Sequence, residues 1–467
     1  MNGGLMPKVS IIMPSLNVAP YITECMESVI HQTLQDLEIL CVDAGSTDGT
    51  WEILEEYSKR DGRIRLIRSP QKSYGYQMNL GIREAVGEYV GIVETDDFIL
   101  LEMYQELYTY AKENNAEFVK SDFDVFTTFP DGERLFLKYS LEKYSSARYH
   151  TVFMSEDYFN SKCTIDVFAW NGIYKKAFLK ENRIWFQETP GAAFQDCGFR
   201  YQVALNARRG FFLDRSFYCY RRDNTNSSTY NSKCVLFNLA ECKNLIHIAK
   251  QTGKTGKKQM EFLAREIAVI AHRPYIELLT WGQPAKGTEE ALNEFRSILK
   301  DFIRQGILNQ MSVTADDWLA IRMFVDNPEF YDYYARLKAE TTAESVKLFL
   351  KSIADFKHIF LFGSGYVGSC AYCLLRSNGI QNITAFCDND KNKWGHTHMG
   401  RMVIPPEDAA KQYPDAYFII TNAAHSDDIQ RQLYEYGIDK KQITIYNLST
   451  FPMDCTNMIM RLSEMAE

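Results

Sequence analysis

Four short apolar runs in the first hundred residues, each followed by a helical pattern, restrict the fold more than any other feature. KVSIIM (8–13) is stopped by Pro14, LEILCVD ends at Asp43, IRLIR follows, and YVGIVE runs into Glu94-Thr95-Asp96-Asp97. Between them, residues 20–33 place Ile22, Met26, Val29 and Ile30 at helical spacing. WEILEEYSKR reads as a helix behind the turn GSTDGT, and residues 76–86 read as another. This alternation predicts an open, mostly parallel sheet. Ligands of such sheets bind beyond the carboxyl ends of the strands, where Asp43 and the acids from Glu94 stand. Asp97 reads as a cap for a helix over FILLEMYQELYTYAKENN. Capping does not account for Glu94, or for an acid at the end of a neighbouring strand. Carboxylates focused on one crevice repel each other unless a cation joins them, so Mg²⁺ or Mn²⁺ is the expected partner.

Composition narrows the class. A chain of 467 residues suits two or three domains. A formal charge of −8 gives no broad basic face for nucleic acid. MNGGLMPKVSIIMPS lacks the marks of a signal peptide, and no apolar run approaches a membrane span. Membrane contact would therefore be peripheral, through an amphipathic face or a partner, at the inner face of the membrane. The tail MDCTNMIMRLSEMAE is too short and mixed to argue for it. Eleven scattered cysteines, several in apolar runs, read as reduced thiols of a cytoplasmic protein. Cys370 and Cys373 form a CxxC without a second pair, which reads as two core thiols.

VSIIMPSLNVAPYITECMESVIHQTLQDLEILCVDAGSTDGT and GIREAVGEYVGIVETDDFI resemble a family-2 glycosyltransferase of the GT-A fold. DVFAWNGIYKKAFLKENRIWF, FQDCGFRYQVALNARRGFFLDRSFYCYRR and NTNSST extend the resemblance in order over roughly the first half. It implies that Pro14, Ser15, Leu16 and Asn17 lie against a donor nucleobase and that Asp43 accepts the uracil N3–H. It puts Asp96 on a Mn²⁺ or Mg²⁺ ion at the donor diphosphate. Glu94 stands where the family has Asp, so its contact is to metal or to a sugar hydroxyl, with Thr95 between them. Lys72, Tyr74, Gly75, Gln77 and Asn79 match the segment that closes over nucleotide and sugar, with Met78 where Arg is common. Asp196 takes the place of the general base, with Gln195 replacing a Glu; as an isolated residue it would read as a helix N-cap. Arg221-Arg222 with Asn226-Ser227-Ser228 resemble the closing arginine and serine segment, Arg222 facing the diphosphate; a solvated basic pair is the alternative. The implied activity is inverting transfer from a UDP-sugar to a saccharide or lipid-linked saccharide in bacterial surface polysaccharide synthesis.

We read residues 1–230 as the GT-A domain, 231–350 as a helical bridge, 351–450 as a Rossmann-like α/β domain and 451–467 as a tail. The aromatics Trp281, Trp318, Tyr331, Tyr333 and Tyr334 are expected in the helical core. HIFLFGSGYVGSCAYCLLRSNG places Gly363, Gly365 and Gly368 as GxGxxG between strand and helix, and Asp388 ends the next strand. This resembles the small Rossmann-like nucleotide-binding domains attached to bacterial sugar-modifying enzymes. It predicts a second nucleotide site, with phosphate at the helix N-terminus and ribose at Asp388. Tight turning and close helix packing explain the glycines equally well. His396-Thr397-His398 reads as a loop and is weak evidence for metal. Two other functions stay open: a dinucleotide-dependent oxidoreductase or nucleotide-sugar-modifying enzyme working through the C-terminal domain, and a non-catalytic carbohydrate-binding scaffold. The oligomeric state is open, a homo-oligomer included.

Overall fold

A computed structural model describes residues 6–129, 131–144, 147–161, 168–192, 194–224, 227 and 231–446. The chain divides into two compact units. One takes Met1–Val125 and Lys138–Tyr333; the other takes Phe126–Leu137 and Tyr334–Glu467.

The first unit begins with β1 (Val9–Ser15), α1 (Ala19–Ile30), β2 (Leu37–Asp43), α2 (Thr50–Arg60), β3 (Ile64–Arg68), α3 (Tyr74–Glu84) and β4 (Tyr89–Ile92). Strands β3, β2, β1 and β4 lie side by side and parallel. Every residue of β1 and β2 is buried, the near-continuous apolar run of a parallel strand covered on both faces. The segment after β4 departs from the expected helix. Phe98–Ile99 forms β5, and α4 (Met103–Glu113) starts later, with Glu102 at its N-cap making no side-chain capping bond.

The chain continues through β6 (Phe118–Thr128), β7 (Arg134–Tyr139), α5 (Leu141–Tyr144), β8 (Val152–Phe153), α6 (Ser155–Asn160), β9 (Gly172–Lys175), α7 (Lys176–Glu181), α8 (Gln195–Asn206) and β10 (Gly210–Arg221). The sheet extends from β4 through β9, β6 and β10 to β5, with β9 antiparallel to both β4 and β6. Helices α9 (Cys234–Gln251), α10 (Lys257–Trp281), α11 (Thr288–Arg304) and α12 (Ala315–Asp326) follow, and α9 packs on α8. Helix α13 (Pro328–Ile353) comes next. Tyr331 is fully buried there, but Tyr333 is 61% exposed and Tyr334 37%, so helical spacing alone placed these two wrongly in the core. Trp318 is half-buried. The side chain of Trp281 lies outside the described residues.

The second unit contains β11 (Ile359–Phe362), α14 (Tyr366–Ser377), β12 (Ile383–Cys387), β13 (Thr397–His398), β14 (Arg401–Ile404), α15 (Pro406–Gln412), β15 (Tyr417–Ile420), α16 (Ser426–Glu435) and β16 (Ile443–Ile445). Strand order is β13-β14-β12-β11-β15-β16, parallel from β14 onward. Phe360, Phe362, Cys387, Phe418, Ile420 and Leu433 are among the buried residues of its core. Cys370 and Cys373 are buried thiols on α14. Arg376, also on α14, is buried against the hairpin tip that belongs to this unit: it pairs with Asp131 at 2.9 Å and Glu133 at 2.6 Å and lies over the Phe129 ring.

Candidate functional site at the strand ends

Three parallel strands end in line. Register pairs Ser15 with Asp43 and Asp43 with Arg68. Asp43 is fully buried, so its charge requires partners. Its Oδ2 accepts from the N–H groups of Gly45 (2.8 Å) and Ser46 (3.1 Å) and from Arg68 Nη1 (2.9 Å). Its Oδ1 accepts from Ser46 Oγ at 2.5 Å and Ser15 Oγ at 3.3 Å. Arg68 stacks 3.3 Å over the Trp51 ring. Asn17, at φ 55°, ties the two loops together: its N–H donates to Ser46 Oγ and its Oδ1 accepts from Thr47 N–H, both at 2.9 Å. Leu16 is exposed beside it. The Pro14 carbonyl accepts from Thr95 Oγ1 at 2.7 Å, joining the end of β1 to the acidic segment.

The three acids after β4 have different surroundings. The Glu94 carboxyl accepts from Tyr74 Oη at 2.5 Å, and its N–H donates to Tyr218 Oη at 3.0 Å. Burial pushes this carboxyl up to about 8; the Tyr74 bond opposes the shift, and the charges of Asp96 and Asp196 add to it. Asp96 Oδ2 accepts from Asn224 Nδ2 at 2.8 Å. Asp97 is fully buried and accepts from Tyr218 Oη and from Arg221 N–H, each at 2.7 Å. Burial, then the Asp96 charge, holds Asp97 well above the usual carboxylate range. The cap expected from Asp97 is therefore absent: it braces β10 against the acidic turn.

Helix α3 and the segment 186–191 are fastened together. Ser73 caps α3 by accepting from Tyr76 N–H at 3.2 Å. The Tyr74 N–H donates to the Gly191 carbonyl at 2.9 Å, and the Gly191 N–H to the Lys72 carbonyl at 2.8 Å. The Lys72 side chain is exposed. A Cβ on Gly75 would overlap the Gln187 carbonyl oxygen. Asn79 exchanges two 2.9 Å bonds with the Phe186 backbone and donates to Glu188 Oε1. Gln77 donates to the carbonyls of Ser15 (3.0 Å) and Val42 (2.6 Å). Both amides thus hold backbone together. Gln195 fixes the far side of the segment through Thr189 Oγ1 (2.9 Å) and the Gly191 carbonyl (3.2 Å).

Asp196 stands inside the first turn of α8 rather than at its cap, which is Phe194 at φ 61°. Burial raises its carboxyl, against the pull of the Arg200 charge one turn on. Tyr74 and Glu94 both feel the Asp196 charge, which brings this carboxylate to the same crevice. The two arginines at the end of β10 differ. Arg221 donates Nε to the Asp96 carbonyl at 2.6 Å and Nη2 to Glu24 at 2.5 Å. Arg222 donates Nη1 to Tyr220 Oη at 2.7 Å, while its buried Nη2 has no partner among the described residues. Asn226 and Ser228 lie outside the described residues. The sequence reading did not single out Arg68 or Tyr218; an arginine closing a strand beside the acid that ends its neighbour was the available signal.

In the second unit, Gly363 has φ +119°, and a Cβ on Gly368 would overlap the Gly363 carbonyl oxygen, whereas one on Gly365 meets open space. Asp388 is engaged on both oxygens. Oδ2 accepts from Ser364 N–H (3.0 Å), Ser364 Oγ (2.7 Å) and Lys393 Nζ (2.8 Å), and Oδ1 from Asp390 N–H (3.0 Å). Burial alone would raise this carboxyl, but these donors bring it down to about 2. Thr397 and His398 form β13 rather than a loop, and His398 Nε2 meets Ser369 Oγ at 2.9 Å. Among the described residues, no three His, Cys, Asp or Glu side chains form a metal cluster.

Residues 10–201 match the family described as Glycosyl transferase family 2. The glycosyltransferase GlyG of Streptococcus pneumoniae serotype 4 (strain ATCC BAA-334 / TIGR4) is 30% identical over 219 residues, 46% of this chain and 70% of its own length. The chain belongs to glycosyl transferase family 2. EpsJ of Bacillus subtilis (strain 168), described as a glycosyltransferase, is 32% identical over 233 residues, 48% of this chain; the match spans 64% of EpsJ, less than two thirds. S. aureus TarS shares the fold at a TM-score of 0.51 and 20% identity, over 72% of this chain and 55% of that one. The family-2 region is the GT-A-like α/β part of the molecule. Residues 356–444 match a different family, C2185-like, N-terminal, so the second unit is not matched to the Rossmann-like nucleotide-binding domains it was expected to resemble. No described helix is long and apolar enough to cross a membrane.

Proposed function

We propose that this family-2 chain is a metal-dependent inverting transferase, moving a sugar from a UDP donor to a hydroxyl of a saccharide or lipid-linked saccharide in surface polysaccharide synthesis. The observation that carries the reading is the convergence of Glu94, Asp96 and Asp196 beyond the ends of parallel strands, close enough for Asp96 and Asp196 to raise the Glu94 carboxyl. The donor set fits a hard divalent ion: Asp96 is held by one amide, and Glu94 keeps its proton to about pH 8 among like charges that a cation would offset. Asp96 and Glu94 would hold that ion, which when bound stabilises negative charge on a departing diphosphate. The Asp43 loop and Asn17 shape the place for the base, and Tyr74 orients Glu94. Arg222, whose buried Nη2 has no partner among the described residues, is the cation assigned to the diphosphate in this reading. Asp196 accepts the proton of the attacking hydroxyl, and one displacement inverts the anomeric centre.

Thermal unfolding against UDP, GDP, dTDP and NADH, each with Mn²⁺ or EDTA, tests the reading. Ligands that bind only the folded chain raise the melting temperature. A Mn²⁺-dependent rise with UDP, lost in Asp96→Ala, is expected. A rise with NADH alone would overturn it.

A further inference from the structure

The helices beyond the family-2 match reach back to the catalytic helix. On α9, Glu241 is only 1% exposed although it is an acid. Its carboxyl lies against the side of α8 at Gly198: a Cβ there would stand 2.8 Å from Glu241 Oε2 and 2.6 Å from Asn244 Nδ2. The absence of a side chain at 198 is what admits it. Asn244 donates to Glu241 Oε2 at 3.3 Å, and the Gly198 N–H adds to the hold. The charged groups facing Glu241 are Asp196 and Arg200, and the Cys197 thiol, pushed up to about 12 by burial, faces it too, all on α8. Arg200 is buried as well, and Glu266 of α10 faces it. Glu241, Arg200 and Glu266, from three helices, are thus buried close to Asp196, with Glu241 meeting α8 at Gly198, two residues beyond it. Burial, with the Asp196 charge, raises Glu241 to about 8.

We propose that Glu241 is a positioning residue for the proton-accepting carboxylate of Asp196, holding the first turn of α8 through the gap at Gly198 and placing a second carboxyl beside it. The proposal rests on the reading of Asp196 as proton acceptor. As Glu241 ionises near pH 8, its charge opposes that of Asp196 and makes that carboxylate a stronger base. The pH response of transfer is then set partly from α9.

A double-mutant cycle in guanidinium unfolding tests this, using full-length wild type, Asp196→Asn, Glu241→Gln and the pair at pH 6 and pH 9. At pH 9, Asp196→Asn is expected to raise the unfolding midpoint more beside Glu241 than beside Gln; at pH 6 the effects add. Additivity at both pH values would overturn the proposal, because a residue that only fills space gives no pH-dependent coupling. Should Glu241→Gln not fold, Gly198→Ala replaces it in the cycle, since its methyl displaces the same carboxyl. UDP release from UDP-glucose, UDP-galactose and their N-acetyl counterparts separates the two claims. Turnover retained by Asp196→Asn removes the proton-acceptor reading itself. An inactive Asp196→Asn with an additive cycle removes only the role of Glu241.

Discussion

Replacing the Asp196 carboxylate with an amide keeps its size and removes its basicity. Asp196→Asn is therefore expected to lower turnover by about 10²–10⁴-fold while leaving UDP affinity nearly unchanged, measured by steady-state kinetics and calorimetry. Glu94 yields a prediction with a definite sign. Its folded carboxyl titrates near 8 against an ordinary 4.5, so the folded chain holds a proton that the unfolded chain has released. In EDTA, this residue's contribution to stability is full below about pH 4.5 and falls as pH rises to 8; Glu94→Gln should flatten that slope in denaturant titrations. Mn²⁺ binding needs the ionised form, so metal-dependent UDP affinity should climb as pH rises through 8 and lose that climb in Glu94→Gln. That acids would stand where parallel strands leave the core was legible in LEILCVD and YVGIVETDD. Their individual states were not. Asp97 looks like its neighbour in sequence, yet Tyr218 and the Arg221 backbone, some 120 residues away, make it a brace. Glu241 sits on an apolar helical face among Leu239, Cys242 and Leu245, a local signal that went unused.

At the scale of elements, the segment 186–191 behaves as a clip between α3 and α8. Gly75 permits its approach, Asn79 and Tyr74 bind one side, and Gln195 binds the other. Gly75→Ala should therefore destabilise the first unit by about 2–4 kcal/mol in chemical unfolding, because the clash is with backbone rather than a flexible side chain. The strands and helices of the parallel half were readable because each is a local pattern bounded by Pro, Gly or a cap. The stretch FILLEMYQ was misread because β5 is only two residues long and is fixed by pairing with Tyr218 and Cys219 of β10, a partner no local window contains. Tyr333 and Tyr334 failed for a related reason: helical spacing identifies a face and says nothing of what covers it.

On the scale of the whole molecule, the two units should answer separately to mutation. Gly368→Ala drives a methyl into the Gly363 carbonyl and is expected to unfold the second unit early, whereas Gly365→Ala meets open space and should be tolerated. Hydrogen exchange on both variants checks this, with protection of β11, β12 and β15 lost only in the first and the UDP response of the first unit kept in both. The second unit is also assembled from distant stretches of chain. Phe126–Leu137 leaves the ribosome about 200 residues before Tyr334. At ordinary rates of synthesis that interval is roughly 10–40 s. Throughout it, Asp131 and Glu133 are without the arginine they pair with in the finished protein, Arg376. The hairpin tip must therefore wait for a distant stretch of chain, and a nascent chain halted before Arg376 should leave it open to proteases.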